Sequence, residues 1–352
     1  MSEARLRIAL IAPPWFEIPP RAYGGIEALV ADLAEGLIAR GHDVVVIGAG
    51  EDRTAARFLC TYSEPPSTRL GEPVPEVLHA AMAQRLLNKL DVDVVHDHSL
   101  AGPLTAGARR APTVVTAHGP VDGEFADYYE QLGDTVHLVA SSEAQRRHAP
   151  HLNWAGRVHA AVKVCSYPYR EDKEGFVLFL GRFDPRKGAH LAIDAARAAG
   201  RPILLAGKLN EPAEHEYFDR EIKPRLGTDA EYVGVADSKT KRELLSTARC
   251  LMFPIEWEEP FGIVMVEALA CGTPVVATRR GAVPEIIKNG VTGKICDRTD
   301  DLAAAVDEVH NISPAACRAD ALAHFDVATM TALYAQLYDR IRTTRSSQSA
   351  TP

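Results

Sequence analysis

No two of the six cysteines stand in C-x-x-C spacing; they are scattered at positions 60, 165, 250, 271, 296 and 317. This scatter argues against a zinc ribbon or a disulfide scaffold and is typical of core thiols in a reducing compartment. Long apolar runs are also missing. The first one stops at Pro13, too short for a secretory signal, and none reaches the ~18 residues of a membrane-spanning helix. The sequence therefore predicts a soluble, cytoplasmic protein.

Positive charge is in deficit as well. The sequence has 39 Lys and Arg residues and 47 Asp and Glu residues, which gives a net charge of −8 and a pI near 5.9. This balance argues against a nucleic-acid binder and gives no attraction to anionic lipid. With 46% hydrophobic and 24% charged residues, the composition is that of a globular protein. At 352 residues, the chain has the length of about two domains.

Strand-like and helix-like segments alternate from the start of the chain. Residues 6–12 read as a buried strand, 26–40 carry apolar side chains at helical spacing, and 44–47 read as the next strand. The same alternation predicts later helices at 101–110, 188–199, 212–223 and 299–342. Repeated β-α-β units indicate a parallel sheet with helices on both faces.

The alternation is interrupted once, at residues 165–175 (CSYPYREDKEG), which we interpret as an interdomain linker. We therefore predict an α/β protein with two doubly wound, Rossmann-like domains, 1–166 and 167–325, facing across a cleft. Residues 326–342 are predicted to form a C-terminal helix that packs back on the first domain, and 343–352 a disordered tail. Ligands bind beyond the carboxyl ends of such strands, so those loops carry the candidate site.

The most informative stretch begins at Glu259-Pro260-Phe261-Gly262 and continues as an apolar helix that carries Glu267. A helix N-terminus offers unpaired N–H groups and partial positive charge, which suit a phosphate. Arg182 and Lys187 follow the first strand of the second domain. Two cations there can neutralise the charge that develops on a leaving phosphate.

With Gly24-Gly25, Thr116-Ala117-His118-Gly119, Leu180 to Gly188 (LGRFDPRKG) and the EALACGTPVVA segment, the sequence resembles the retaining, nucleotide-sugar-dependent glycosyltransferases of family four. The resemblance covers nearly the whole chain and implies the GT-B architecture. The first domain would then bind the acceptor and the second the nucleotide sugar.

The resemblance also implies roles for single residues. His118 would hydrogen-bond the donor sugar, Glu259 would hold sugar hydroxyls and Glu267 the ribose hydroxyls. The catalytic set is His118, Arg182, Lys187 and Glu259. The donor-binding set is Gly25, Arg182, Lys187, Val235, Glu259, Phe261, Gly262, Ile263 and Glu267. The acceptor-side set is Trp15, Tyr23, Gly24 and Asp122.

Two other sequence patterns could indicate a metal site, and a third could indicate a hydrolase, but each is weaker than the pattern described above. Asp91-Val92-Asp93 copies a metal-binding D-x-D but lies at the amino end of a predicted strand, and His96-Asp97-His98 could ligate a metal. Glu259 and Glu267 could be read as a hydrolase pair, although Glu258-Glu259 sit in a run of acids rather than an apolar pocket. We expect no metal and no cofactor.

The sequence thus predicts a metal-independent retaining hexosyltransferase acting by front-face attack, with UDP-glucose favoured as donor and GDP-mannose next. Helix 26–40 is acidic rather than basic, which favours a soluble small-molecule or glycan acceptor. A sugar-nucleotide epimerase or glycan phosphorylase on the same fold is the alternative enzyme. A nucleotide-sugar-binding protein without catalysis is the other alternative, because residues 160–164 (AAVKV) replace the Asn-Gly-x-Asp usual in the family.

Overall fold

The computed structural model describes residues 4–21 and 24–349. The chain divides into two units, unit 1 with Met1–Ala160 and Val327–Pro352, and unit 2 with Ala161–Asp326. The first boundary thus lies six residues before the predicted one. Residues 161–166 belong to unit 2 because the Val162 N–H donates to Phe325 O at 3.0 Å and the Val164 N–H donates to Asp326 Oδ2 at 3.1 Å.

Unit 1 contains a seven-stranded, all-parallel sheet in the order β3-β2-β1-β4-β5-β6-β7. Its strands are Arg7–Ile11 (β1), Asp43–Ala49 (β2), Arg57–Tyr62 (β3), Val94–Asp97 (β4), Thr113–Ala117 (β5), His137–Ala140 (β6) and Trp154–Arg157 (β7). Its helices are Gly25–Ala39 (α1), Pro73–Leu87 (α2), Gly123–Leu132 (α3), Glu143–His148 (α4) and Val327–Ser349 (α12). The central strands are buried on both faces, which explains their continuous apolar sequences.

The last helix, α12, packs on α1 within unit 1. Gly36 makes this close approach feasible, because a Cβ atom there would lie 2.3 Å from Thr331 Oγ1. Tyr334 and Tyr338 of α12 are fully buried. The two tyrosine hydroxyls bond to Thr116 Oγ1 at 2.8 Å and to His96 Nδ1 at 2.6 Å. Helix α12 is therefore joined to the sheet through strands β4 and β5.

Unit 2 contains a six-stranded parallel sheet in the order β10-β9-β8-β11-β12-β13. Its strands are Val177–Leu180 (β8), Ile203–Ala206 (β9), Ala230–Tyr232 (β10), Cys250–Phe253 (β11), Val275–Thr278 (β12) and Gly293–Cys296 (β13). Its helices are Ala189–Ala198 (α5), Pro212–Tyr217 (α6), Ser238–Thr247 (α7), Ile263–Ala270 (α8), Val283–Ile286 (α9), Leu302–Glu308 (α10) and Pro314–His324 (α11). In both units the order reverses between the first strand and its neighbour, as in nucleotide-binding α/β folds.

The predicted helices at 101–110 and 212–223 are wrong in kind. The first is a 3₁₀ helix, Gly102–Ala108, in which Pro103 occupies one of the first two positions. The second is α-helical only over α6 and continues as a π-helix, Phe218–Ile222, and a 3₁₀ helix, Lys223–Arg225. Pro224 lacks the N–H that an α-helix would use there.

The predicted helical region 299–342 contains three α-helices, α10, α11 and α12, with short breaks between them. Ser313 caps the start of α11 by accepting from Ala316 N–H, and Asp326, between α11 and α12, forms an isolated parallel bridge with Val162. The predicted disordered tail is also wrong over most of its length, since α12 continues to Ser349. Residues 350–352 lie outside the described part of the chain. None of the helices within residues 4–21 and 24–349 is long and apolar enough to cross a membrane.

Candidate active site

In unit 2, the Lys187 ammonium forms an ion pair with Glu259 Oε2. Both side chains are largely buried, at 18% and 12% exposure. The Lys187 Nζ atom also lies 5.1 Å from the centre of the Trp257 ring, a cation–π distance. The structure therefore brings together two residues 72 positions apart that the sequence assigned to one site.

Lys187 is not in an α-helix. It lies just before the helix that the sequence predicts over residues 188–199. It ends a 3₁₀ turn, Pro185–Lys187, and α5 begins at Ala189. Between them Gly188 has φ 71°, and a Cβ atom there would lie 2.2 Å from Pro254 O. Only glycine fits this left-handed, close-packed position, which holds Lys187 near the loop after β11.

Arg182 lies in the same loop as Lys187 but faces different partners. Its Nη1 atom is 3.8 Å from Glu211 Oε1 and 3.9 Å from Glu214 Oε1, both at the start of α6. Lys208, which follows β9 and is 7% exposed, lies 3.3 Å from the same Glu211 oxygen. Arg182 and Lys187 thus have different acidic partners in the same loop region.

The helix that begins after Gly262 starts as predicted, at Ile263. Gly262 has φ 81°, and a Cβ atom there would come within 2.9 Å of Phe253 and 2.8 Å of Met265. The packing of the fold therefore requires glycine at position 262. Phe261 is 6% exposed, and its ring packs edge-on against Phe325 at 6.3 Å. The Phe261 ring serves the core, so its backbone is the part open to a ligand role.

Glu267 lies on the second turn of α8 and is buried, at 6% exposure. Its Oε1 atom accepts hydrogen bonds from the Tyr167 hydroxyl at 2.8 Å and from Lys241 Nζ at 2.5 Å. The position excludes a solvated helix face. The carboxylate is instead anchored by two residues that sequence reasoning missed, Tyr167 from the predicted linker and Lys241 from α7.

Val235 is 58% exposed in the loop between β10 and α7. The preceding Gly234 has φ 84°, and its carbonyl accepts from the Gly207 N–H at 3.1 Å. This bond joins the loops after β9 and β10. Val235 thus lies at the carboxyl edge of the unit 2 sheet, as do Arg182 and Lys187.

In unit 1, His118 follows β5 and is half-buried. Its Nε2 atom bonds His98 Nδ1 at 2.9 Å, and the two rings stack with centres 5.1 Å apart. Burial lowers the pKa of His118 to about 4 and holds the pKa of His98 well below its usual range. Both imidazoles are therefore neutral near pH 7, and each can donate one hydrogen bond and accept another.

The metal reading of His96-Asp97-His98 has no support in this geometry. The two ring nitrogens of His96 bond to Tyr338 and Thr116, and Asp97 pairs with the buried Arg109 at 2.9 Å. Within residues 4–21 and 24–349, no three His, Cys, Asp or Glu side chains are grouped as metal ligands. His98, which sequence reasoning had placed only in this trio, instead contacts His118.

The predicted acceptor-side residues lie mostly around the start of α1. Gly24 caps that helix with φ 138°, and a Cβ atom there would lie 2.9 Å from Pro20 and 3.2 Å from Glu27 Oε2. Gly25 faces open space, with nothing within 4 Å of a built Cβ atom. Trp15 is half-buried in the preceding loop, and Tyr23 lies outside the described residues. Asp122, exposed before α3, is 3.8 Å from His148 Nε2.

Trp257 is the functional candidate that sequence reasoning overlooked most clearly. Its ring lies beside Lys187 and Arg186, and its Nε1 atom is buried without a hydrogen-bond partner in the described part of the chain. In the sequence, the feature that pointed to Trp257 was its position two residues before Glu259. A tryptophan in a polar loop is otherwise unexceptional in a sequence.

Comparison with known proteins agrees with this architecture. The solved structure of AviGT4, a glycosyltransferase involved in avilamycin A biosynthesis, has a TM-score of 0.75 and 27% identity, with 96% of this chain and 98% of that chain covered. The fold is thus that of the GT-B glycosyltransferases. Two family models match in succession, "Glycosyltransferase Family 4" over residues 23–163 and "Glycosyl transferases group 1" over residues 168–320. The chain belongs to family four of these enzymes.

Two curated relatives show how broad this likeness is. The phosphatidyl-myo-inositol mannosyltransferase of Mycolicibacterium smegmatis is 28% identical, with 86% of this chain and 84% of the relative covered. The glycogen synthase of Mycobacterium tuberculosis is also 28% identical, with 95% and 94% covered. The protein is therefore a glycosyltransferase, and these two relatives are named for different reactions.

Proposed function

We propose that the protein is a retaining hexosyltransferase that uses a nucleotide-diphospho-sugar. The observation that carries this proposal is the Lys187–Glu259 pair beside the N-terminus of α8. An ammonium and an oriented helix end suit the two phosphates of such a donor, and a carboxylate suits sugar hydroxyls. Both groups are already held in place by the fold, so little reorganisation is needed on binding.

The proposed reaction mechanism is based on the charged side chains of unit 2. Breaking the glycosidic bond leaves negative charge on the departing phosphate, and Lys187 is positioned to stabilise it. Arg182, bound to Glu211 and Glu214 at the edge of the same sheet, can add to that field. We propose that the leaving phosphate takes the acceptor's proton on the same face of the sugar. The neutral His118 then serves as a hydrogen-bond partner rather than as a base.

UDP-glucose is the proposed donor and GDP-mannose the next choice. The names of the two curated relatives include a mannosyltransferase and a glycogen synthase, so likeness alone does not decide between them. The exposed loop at Gly234 and Val235 is the proposed contact for the base. We propose that the reaction is independent of metal, since the cationic groups named above can supply the charge.

The test is a thermal-shift series with UDP, GDP and ADP, each with and without a chelator. A nucleotide at 100 times its dissociation constant should raise the free energy of unfolding by about 2.7 kcal/mol. We expect UDP to give the largest shift and the chelator to leave it unchanged. Loss of the shift in chelator would show that a metal is required. The configuration of the product anomer, determined by NMR, then tests retention.

A further inference from the structure

Helix α2 of unit 1 presents apolar side chains to solvent. Val74 is 61% exposed, Val77 59% and Leu78 46%, and Ala81 is exposed one turn later. Positions 74, 77, 78 and 81 share one face of a helix. An ordinary surface helix has one apolar face, which packs on the core, whereas α2 has this second, exposed apolar face as well as the one it buries with Ala83 and Leu87.

The inward face of α2 carries two polar side chains beside the apolar residues Pro75, Ala80, Ala83 and Leu87. Glu76 is 8% exposed and His79 is fully buried. Glu76 Oε1 accepts from the Leu100 N–H at 2.8 Å, and His79 Nδ1 bonds Thr61 Oγ1 at 2.8 Å. These two bonds fix the rotation of α2 about its axis. The outward position of Val74, Val77 and Leu78 therefore follows from polar and apolar contacts together, because Ala83 and Leu87 of the same helix pack in the core.

The neighbouring segments add further exposed apolar side chains. Leu100 is 47% and Leu104 67% exposed, on and before the 3₁₀ helix that packs against α2. Phe125, 42% exposed, lies in the first turn of α3, and that helix is bound to Leu100 O through the Tyr128 hydroxyl. We call this set the apolar surface; it consists of Val74, Val77, Leu78, Leu100, Leu104 and Phe125.

The apolar surface lies where a ligand would be expected. The segments that carry it directly follow strands β3, β4 and β5, which are parallel. It therefore stands at the carboxyl edge of the unit 1 sheet, the edge at which α/β folds bind ligands. Leu100 is two residues from His98, whose ring contacts His118. The surface and the histidine pair thus lie at the same edge of the sheet.

Size and charge restrict what can cover this surface. Six side chains are far fewer than the roughly 20–30 residues that each partner contributes to a stable protein interface. Exposed acids on α3, namely Glu124, Asp127 and Glu130, flank Phe125, and this disfavours an anionic bilayer. An uncharged apolar group on a single small molecule meets both conditions.

We propose that the apolar surface binds the apolar part of the glycosyl acceptor, an uncharged alkyl or aryl group attached to the hydroxyl-bearing part. The inference rests on the proposed function, because it names the acceptor class of the same site. The apolar group lies across α2 and Leu104, and the acceptor hydroxyl is directed toward His98 and His118. The acceptor is thereby a neutral amphiphile taken from solution.

The experiment compares two neutral probes that differ only in the apolar group, n-octyl β-D-glucopyranoside below its micelle concentration and methyl β-D-glucopyranoside. Binding is measured by isothermal titration calorimetry on the full chain. The octyl glucoside should bind at least about tenfold more tightly, since even one methylene in an apolar site changes affinity by about that factor. Equal affinity of the two probes overturns the proposal.

The variant is Val77→Gln combined with Leu78→Gln, which keeps helix propensity and removes only exposed apolar groups. It should lose about tenfold in octyl glucoside affinity. The matched control is Leu322→Gln, at a 48% exposed leucine of helix α11 in unit 2, and it should bind as the wild type does. Unchanged octyl glucoside binding by the double variant contradicts the assignment.

Two other occupants are tested on the same proteins. Sedimentation velocity that shows a dimer in the wild type and a monomer in the double variant would assign the surface to a second copy. Co-sedimentation with phosphatidylglycerol vesicles that is lost in the double variant would assign it to a bilayer. Either result overturns the proposal. UDP titrations of all variants keep the outcomes separate, because failure of UDP binding rejects the proposed function without affecting the glucoside comparison.

Discussion

In unit 2, the loops after β8, β9 and β11 gather charged side chains, whereas the same edge of unit 1 gathers histidines and apolar side chains. Unit 2 has Lys187 paired with Glu259 and Arg182 beside Glu211. Unit 1 has His98 bonded to His118, each with a pKa lowered by burial. The two sheets have the same order around their first strand. Topology therefore fixes where ligands bind, and the loop residues decide what chemistry is possible there.

The contrast has a physical reason. A site that handles phosphate must hold countercharge before the substrate arrives, since preorganised charge is what lowers a barrier. A site that handles a neutral hydroxyl gains nothing from fixed charge, which would have to be desolvated at a cost of several kcal/mol. We expect variants in unit 2 to act on turnover and nucleotide binding, and variants in unit 1 to act on acceptor use and on pH response.

The largest effect is expected for Lys187→Ala. The variant removes a cation that would stabilise the leaving phosphate, and loss of one such group typically raises the barrier by ~2.7–4 kcal/mol, or about 10²–10³ in kcat. Steady-state rates with UDP-glucose measure it. Lys239→Ala, at an exposed lysine of α7, is the control and should be near wild type. A Lys187→Ala variant with wild-type kcat would remove the lysine from the reaction and weaken the contrast between the units.

The second prediction tests how strictly unit 1 excludes charge. Glu27, near the start of α1, is 3% exposed, and burial raises its pKa from 4.5 to about 7. Between these values the unfolded chain releases the proton while the folded chain keeps it, so stability falls as pH rises through this window. Glu27→Gln should therefore stabilise the protein relative to wild type by up to about 3 kcal/mol more at pH 8 than at pH 4.5.

Chemical denaturation at the two pH values measures this difference. Glu35→Gln, an exposed glutamate on the same helix, is the control and should change little with pH. If the two variants respond alike, Glu27 is ionised in the folded protein and unit 1 tolerates a buried carboxylate at this position, in addition to its buried Asp97–Arg109 ion pair.

The sequence predicted the fold better at its centre than at its edges. Strands β1, β5, β8 and β11 are buried on both faces and read as continuous apolar runs. The strands it missed, β3, β7 and β13, are all at the edges of their sheets, where partial exposure breaks the apolar run. Edge strands are specified by pairing with a neighbour, and this is not visible in a local pattern.

At the candidate site, too, local sequence patterns could not predict contacts between residues that are distant in the chain. Sequence motifs named Glu259 together with its partner Lys187, but they named Glu267 without the two residues that anchor it. Tyr167 lies 100 positions before Glu267 and Lys241 lies 26 before it. Packing of α7 and of the segment before Tyr167 against α8 brings these side chains together, and no spacing rule encodes such contacts. The different acidic partners of Arg182 and Lys187 could not be predicted for the same reason, since side chains five residues apart in a loop can face different neighbours.

The third prediction separates the two glutamates of unit 2. Glu267→Gln should weaken UDP binding about tenfold, because its proposed ribose contact exists in free UDP and because Gln alters the bonds to Tyr167 and Lys241. Glu259→Gln should keep UDP affinity and lower turnover about tenfold, because its proposed partner is the transferred sugar.

Calorimetric titration of UDP together with steady-state rates distinguishes the two variants. Tyr167→Phe is the control for the anchor, since it removes one hydrogen bond to Glu267 Oε1 and leaves the carboxylate in place. It should fall between wild type and Glu267→Gln in UDP affinity. The opposite pattern, with UDP affinity lost in Glu259→Gln alone, would exchange the two roles.

The smallest effect is expected from pH itself. Burial lowers the pKa of His118 to about 4 and holds the pKa values of His98 and His96 well below the usual range. All three therefore stay neutral between pH 6 and pH 8, and none of them should give kcat an inflection near 6.5. His118→Gln should lower kcat while keeping the shape of the wild-type pH profile, because it removes a hydrogen-bond partner but no titration. His148→Gln, at a half-exposed histidine outside the cluster, is the control for a solvated imidazole. If the wild-type profile has an inflection near 6.5 that disappears in His118→Gln alone, His118 carries a proton during turnover. Unit 1 would then supply charge to the reaction as unit 2 does, and the contrast between the two edges would be lost.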